Sequence, residues 1–291
     1  MSETPIRNVA DTAFWVATYR ANETVRSDAL FRDPLAERLV EGRGRDIASK
    51  MDDSEIVAWV VVIRTCIIDE FIRAAIARGT DTIVNLGAGL DTRPYRMDLP
   101  PSLKWIEVDF PSTIAFKEER LKDETSRCSL ERVELDLGDD AARKRLFDRI
   151  NANAKSVFVL TEGVIPYLSN DQVESLARAL HAQSHFDAWM LEYTSPDLMK
   201  MSRRFTHRRQ LKNAPFKFKP DDWNAFFAQQ GFKLKEMRYL VEEGRRRGRF
   251  PPLSLKMRLA MMFFSRAKRH QLGKMRGYAL LEKVSSEKNT V

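Results

Sequence analysis

Cysteine is nearly absent from this chain. Its 291 residues contain two, Cys66 and Cys128, far apart and neither in a CxxC pair. That spacing excludes a disulfide scaffold and a zinc site of thiolate type, and it leads us to expect a reducing, cytoplasmic protein. Histidine is scarce too, with four residues: His181, His185, His207 and His270. No apolar run is long enough and free enough of charge to span a bilayer, because "IVAWVVVIRTCIIDEFI" is broken by Arg64 and then by Asp69 and Glu70, which points to a buried helix instead. The opening "MSETPIRNVADTAF" lacks a basic segment followed by an apolar one, so no secretory signal is expected. Internal repeats and low-complexity tracts are also missing.

Charge is present but uneven. The first 150 residues hold 23 Lys and Arg against 28 Asp and Glu, and the remainder 26 against 13. The second part either faces something anionic or carries a solvated basic face. A length of 291 residues suits one large domain with decorations.

From Thr82 onward, apolar runs of strand length alternate with helix-like segments. The runs are "TIVNL", "KWIEVD", "RVELD", "SVFVLT", "AWMLEY", "FKLKEMRYLV" and "RGYALLEKV". Seven such runs predict an α/β fold with an open, mostly parallel Rossmann-like sheet and helices on both faces. Helices are expected at about 54–78, closed by Gly79, at 170–183, opened by the Asn170-Asp171 pair, and in "PDDWNAFFAQQGF". Residues 1–50 read as a helical cap on a domain spanning 51–291. The segment "EEGRRRGRFPPLS" reads as a flexible loop and "LKMRLAMMFFSRAKRHQ" as an amphipathic helix, so that 242–271 forms a basic loop and helix.

The run "TIVNL" empties into "GAGLDT". Gly87 and Gly89 carry no Cβ, so the backbone there either makes a tight strand-to-helix turn or comes close to a ligand. Twenty residues after Gly89, at the end of the next strand, Asp109 is placed to accept hydrogen bonds from ribose hydroxyls. Thr92 stands where the dinucleotide fingerprint wants a third small residue, which disfavours NAD and leaves S-adenosylmethionine (SAM) as the nucleoside cofactor. Asp136 in "VELDLGD" is expected to end the third strand and Glu162 in "TEGVIPY" the fourth. A second reading makes Asp136 the N-cap of the following helix.

Taken together, "ETVRSDALFRDPLAERL", "VNLGAGLDTRPYR", "EVDFPSTIAFKEERL", "ELDL" and "TEGVIPYLSNDQVESL" resemble the leucine carboxyl methyltransferase family and its bacterial polyketide O-methyltransferase relatives, over about residues 12–195. The resemblance implies that Arg26 and Arg64 grip the methionine carboxylate of SAM. It lays Gly87, Ala88, Gly89 and Asp91 against the methionine portion, Asp109 against the ribose, and Asp136 with Leu137 against adenine. Glu162 is implied near the ammonium or the reaction centre. An arginine in an otherwise apolar helix needs an anionic partner; for Arg64 this is the cofactor or an internal salt bridge to Asp69 or Glu70.

A carboxylate acceptor is ionised at neutral pH and needs no base, whereas a phenol or alcohol needs one within reach. The candidate catalytic residues are Tyr167 and Tyr193, which line the acceptor pocket or simply pack, and His207, the histidine of the lid-like stretch of about 197–220, which is a base or a solvated lid residue. That stretch, "LMKMSRRFTHRRQLKNAPFKFK", has eight Lys and Arg and no acid. Arg203, Arg204, Arg208 and Arg209 are therefore expected to steer a small acidic acceptor of secondary-metabolite or polyketide type. No metal is expected, since the clustered acids of a catechol-type enzyme cannot be assembled. A nucleic-acid methyltransferase is disfavoured because "EGVIPY" keeps only the Pro166-Tyr167 part of the (N/D)-P-P-(Y/F) turn and no RNA-binding module accompanies it. A SAM-binding adaptor without turnover is the remaining rival. Residues 255–271 are expected to close the pocket, form a dimer face or touch a membrane.

Overall fold

The computed structural model describes residues 9–51, 54–202 and 213–284. Three helices come first: α1 (Val9–Thr24), α2 (Pro34–Lys50) and α3 (Ser54–Ala77). The sheet follows: β1 (Thr82–Leu86), β2 (Lys104–Asp109), β3 (Ser129–Glu134), β4 (Val157–Thr161), β5 (Phe186–Thr194), β6 (Phe232–Tyr239) and β7 (Arg276–Lys283). Between the strands lie α4 (Arg93–Arg96), α5 (Pro111–Leu121), α6 (Asp140–Asn153), α7 (Asn170–His181), α8 (Pro196–Ser202), α9 (Trp223–Gln229), α10 (Leu240–Arg246), α11 (Leu255–Met262) and α12 (Arg266–Gly273).

Strand order is β3-β2-β1-β4-β5-β7-β6. The first five strands are parallel, and β7 runs antiparallel between β5 and β6. The order reverses between β1 and β4, so the carboxyl ends of those strands frame the switch-point crevice of an open α/β sheet. Because β7 runs backwards, its first residue, Arg276, sits opposite Thr194 at that same carboxyl edge.

Alternation along the strands sorts side chains into two cores. Val84, Val108, Val159, Trp189 and Leu281 pack with α6, α7 and α9 on one face. Ile83, Trp105, Phe158, Met190 and Leu280 pack with α3 on the other. The N-terminal helices α1 and α2 bury Ala17, Leu39 and Val40 against Leu90 of the glycine loop.

Several expectations are corrected. Strand β3 ends at Glu134, two residues short of Asp136. The cap of α7 is Ser169, which exchanges bonds with Gln172 in a capping box, rather than the Asn170-Asp171 pair. The segment expected as one amphipathic helix is two, each opened by a serine N-cap, Ser254 and Ser265. The basic stretch expected as a loop begins as helix α10, because Glu70 gathers Arg238, Arg246 and Arg247 around it. Cys66 and Cys128 are free and buried, and burial pushes both thiols up to about 11, far from reactive.

Candidate active site

The glycine loop is pinned before any ligand is considered. Gly87 N and Ala88 N donate to Val108 O at 2.8 and 3.1 Å. Gly87 (φ 68°) and Gly89 (φ 48°) adopt left-handed backbone. A Cβ on Gly87 would stand 2.4 Å from Val164 Cγ2, so the β1 and β4 loops touch there. Asp109 reaches across from β2: Oδ2 accepts from Gly89 N at 2.7 Å and Oδ1 from Phe110 N at 2.8 Å. Each carboxylate oxygen keeps a further lone pair.

Beneath the loop lies an ion network centred on Arg93, which is 1% exposed. Its guanidinium meets Asp69 at 2.7 Å, Asp91 at 2.8 Å and Glu162 at 2.8 Å. Asp69 also takes Arg96 at 2.7 Å. Asp91 has both oxygens engaged, by Asn85 and by the backbone and side chain of Arg93. It therefore orders the loop from within rather than facing a ligand. Burial opposes its charge, but Arg93 above all, with Lys117 and Arg20, holds it well below the usual aspartate range. Arg93 carried no role in the sequence reading, although it stands inside the quoted "DTRPYR".

Arg64 projects from α3 to the edge of this network. Its Nε lies 2.8 Å from Glu162 Oε1, at an angle that makes no hydrogen bond. Its partner is thus Glu162, neither Asp69 nor Glu70. Burial pushes the Glu162 carboxyl up, and Arg93 and Arg64 more than offset this, keeping it below the ordinary glutamate range. The other two nitrogens of Arg64 donate no hydrogen bond among the described residues, and Glu162 is the acid its guanidinium pairs with. Arg26 is not brought to this place: its exposed guanidinium forks onto Asp28 at 3.0 and 3.1 Å, with Glu23 at 3.6 Å.

Asp136 is exposed and closes a turn on Gly138 N at 2.8 Å; the N-cap of α6 is Asp139, not Asp136. Leu137 is half-buried against the core beside it. Together with Gly138, Arg143, Leu168, Gln172 and Ser175 it lines a cavity of about 260 Å³.

At the far side of the crevice, neighbours on β5 diverge. Tyr193 turns to the α9 face and stacks edge-on with Trp223 and Tyr239 at 5.5 and 6.2 Å, so it does not share a face with Glu162. Glu192 lies on the face of Glu162 instead. Its Oε1 accepts from Gly163 N and from Val164 N, while Oε2 is buried without a hydrogen-bond partner. Burial pushes this carboxyl up to about 8. Arg276 and Tyr278 project from β7 on the same face, opposite Thr194 and Glu192. Arg276 is exposed as a residue, but its guanidinium is desolvated, which pushes its pKa below the ordinary arginine value; it forms no ion pair among the described residues and lies within electrostatic reach of Tyr278, Arg64, Tyr167 and Glu192. Tyr167 ends a short turn (Ile165–Tyr167), bonds to Thr12 and packs on Phe216 at 5.3 Å. The segment after α8 returns to this turn, where Lys217 N donates to Pro166 O at 2.7 Å. His207, Arg203, Arg204, Arg208 and Arg209 lie outside the described residues. No group of three or more His, Cys, Asp or Glu among the described residues is arranged to hold a metal ion.

Residues 13–181 match the model of the leucine carboxyl methyltransferase family. A protein of Streptomyces avermitilis, provisionally named an S-adenosyl-L-methionine-dependent methyltransferase, is 36% identical over 183 residues, 60% of this chain and 64% of that relative. One of Frankia alni with the same provisional name is 35% identical over 184 residues, again 60% and 64%. The chain thus spans less than two thirds of the length of the curated relatives it matches. Among solved structures, a protein from Thermobifida fusca provisionally named a methyltransferase superposes with a TM-score of 0.55 at 14% identity, over 92% of this chain and 94% of that one. A DUF574 family protein from Streptomyces avermitilis gives 0.51 at 13% identity, over 92% and 96%. At these identities the superpositions speak to the fold, an α/β sheet of the methyltransferase type.

Proposed function

The chain belongs to the leucine carboxyl methyltransferase family, and from that premise we propose that it binds S-adenosylmethionine in the switch-point crevice and methylates an oxygen of a small acidic acceptor. The observation that carries this reading is the pairing of a Cβ-free loop at Gly87 and Gly89 with Asp109 at its lip and Arg64 at its back. Asp109 keeps lone pairs for ribose hydroxyls, and the two terminal nitrogens of Arg64, which donate no hydrogen bond among the described residues, suit a bidentate carboxylate. When bound, SAM supplies a methyl already activated by its sulfonium. What is left for the protein is orientation, which contributes roughly 7 kcal/mol or more when reacting atoms are held in a near-attack pose.

Acidity of the acceptor is supported by charge balance. In the buried network, Arg64, Arg93 and Arg96 face Asp69, Asp91 and Glu162 one for one. Burial pushes the Glu192 carboxyl up to about 8, so it contributes little negative charge near neutral pH. Arg276 is therefore the surplus cation at the crevice edge, a partner for the anionic group of an acceptor. The Glu192 carboxyl favours one variant of the reading: an acceptor that also carries a hydroxyl would find in Oε2 a base once pH rises through about 8 and the carboxyl loses its proton.

Calorimetry with SAM and with S-adenosylhomocysteine tests the first half. Binding by the wild-type protein, weakened about tenfold or more in Asp109→Ala, is the expected result; no binding to either nucleoside ends the proposal. Tritiated methyl transfer to carboxylic and phenolic acids tests the second half, with base lability of the product marking an ester. Arg276→Gln should then raise KM for an acidic acceptor about tenfold and leave S-adenosylhomocysteine affinity unmoved. An unchanged KM removes Arg276 from the acceptor site.

A further inference from the structure

Neither the crevice nor the core accounts for α11 and α12. No residue of either helix is buried. Their large apolar side chains stand in water: Phe263 is 89% exposed, Met262 72%, Leu255 71%, and Met257 and Leu259 50% each, with Phe250 just upstream at 67%. Scattered exposed apolar residues need no explanation, but six within fourteen positions form a patch that asks for a cover. Leu255, Leu259, Met262 and Phe263 fall at the i, i+4, i+7 and i+8 positions that share one side of a helix.

The charge around the patch says what that cover is. Between Glu243 and Glu282 the chain has eleven Lys and Arg and no acid; Arg246, Arg247 and Arg249 pair with Glu70, Glu243, Glu23 and Asp28, whereas Lys256, Arg258, Arg266, Lys268 and Arg269 are all exposed. Apolar side chains flanked by exposed basic residues, with no carboxylate in either helix and Asp197 the acid that meets α12, match the layered chemistry of an anionic bilayer surface, apolar below the headgroups and negative at them. A second copy of this chain would bring the same uncompensated basic residues against themselves. No helix among the described residues is long and apolar enough to cross a membrane, so the mode is contact from one side. We propose that α11 and α12 are a peripheral docking surface for anionic lipid bilayers, with Phe263 and Met262 inserting and the flanking Lys and Arg held at the headgroups.

The helices lead directly into β7, whose first residue is Arg276, and Gln271 Nε2 donates to Asp197 Oδ2 at 2.9 Å. Docking would therefore bring the crevice edge near the membrane. The proposal itself does not depend on the methyl-transfer reading, because lipid binding can be read without substrate or cofactor.

The test is co-sedimentation of the full chain with vesicles of pure phosphatidylcholine and of phosphatidylcholine containing roughly a quarter phosphatidylglycerol. Binding to the anionic vesicles only, relieved by high salt, is the expected result. Met262→Ser with Phe263→Ser should lower the partition coefficient at least about tenfold, and Lys256→Gln with Arg258→Gln should lower it several-fold. Because none of these residues is buried, circular dichroism and melting temperature should stay unchanged, which separates lost docking from lost folding. Failure to bind anionic vesicles, equal binding to neutral ones, or undiminished binding by the Met262/Phe263 variant overturns the proposal. So does a dimer seen by light scattering that the Met262/Phe263 variant abolishes.

Discussion

Arg93→Met is expected to destabilise the protein by about 3–5 kcal/mol, the range for removing one partner of a buried charge cluster. The side chain is 1% exposed and meets three carboxylates drawn from α3, the glycine loop and the end of β4. Methionine matches much of the volume, so the loss is not one of packing; it comes from leaving Asp69, Asp91 and Glu162 close together without their common cation. Asp69 keeps Arg96 and Glu162 keeps Arg64, which places Asp91 as the group most exposed to the change. Arg93→Lys retains the charge but not the planar fork that serves three acceptors at once, so an intermediate loss is expected. Urea denaturation reads both. A loss under about 1 kcal/mol for Arg93→Met would mean the network is not the clamp described.

The second large effect depends on pH. The Glu192 carboxyl is raised by burial to about 8, against about 4.3 in an unfolded chain. Between those values the unfolded state has released its proton while the native state still holds it, so native stability falls as pH rises through the window and levels off above about 8. The full difference amounts to at most about 5 kcal/mol. Glu192→Gln removes the titration and keeps a carbonyl for the Gly163 and Val164 amides. The variant should melt at the wild-type temperature near pH 4 and well above it near pH 8. Parallel curves across that range would show that Glu192 ionises normally. If Glu192 also serves as base, the same substitution lowers methyl transfer to hydroxyl acceptors and spares carboxylate acceptors, which need none.

The difference between these two residues and those legible in the sequence is one of range. Strand runs and their order of appearance are local signals, and the carboxyl ends of β1 and β2 fell where "TIVNL" and "KWIEVD" put them. Asp109 was readable because it follows the glycine loop at a fixed interval. Arg93 was not, since its three partners lie 24, 2 and 69 positions away and "DTRPYR" alone reads as a basic turn. Strand alternation separates Tyr193 from Glu192: adjacent residues point to opposite faces, and it is Glu192 that shares the face of Glu162. Arg26 and Asp136 show a different effect. Each lies in a turn with a near partner, Asp28 and Gly138, a short-range pairing that the spacing of motifs does not reveal.

Gly87 sets a further limit on what the crevice can become. Its missing methyl would stand 2.4 Å from a γ carbon of Val164, a side chain too stiff at χ1 to swing aside. The spacing of the two loops that frame the switch point is therefore gauged by a single hydrogen atom. Any other residue there would act as a shim, forcing the loops apart in a backbone conformation it also dislikes, and the aperture would change width without one ligand-facing side chain having been touched.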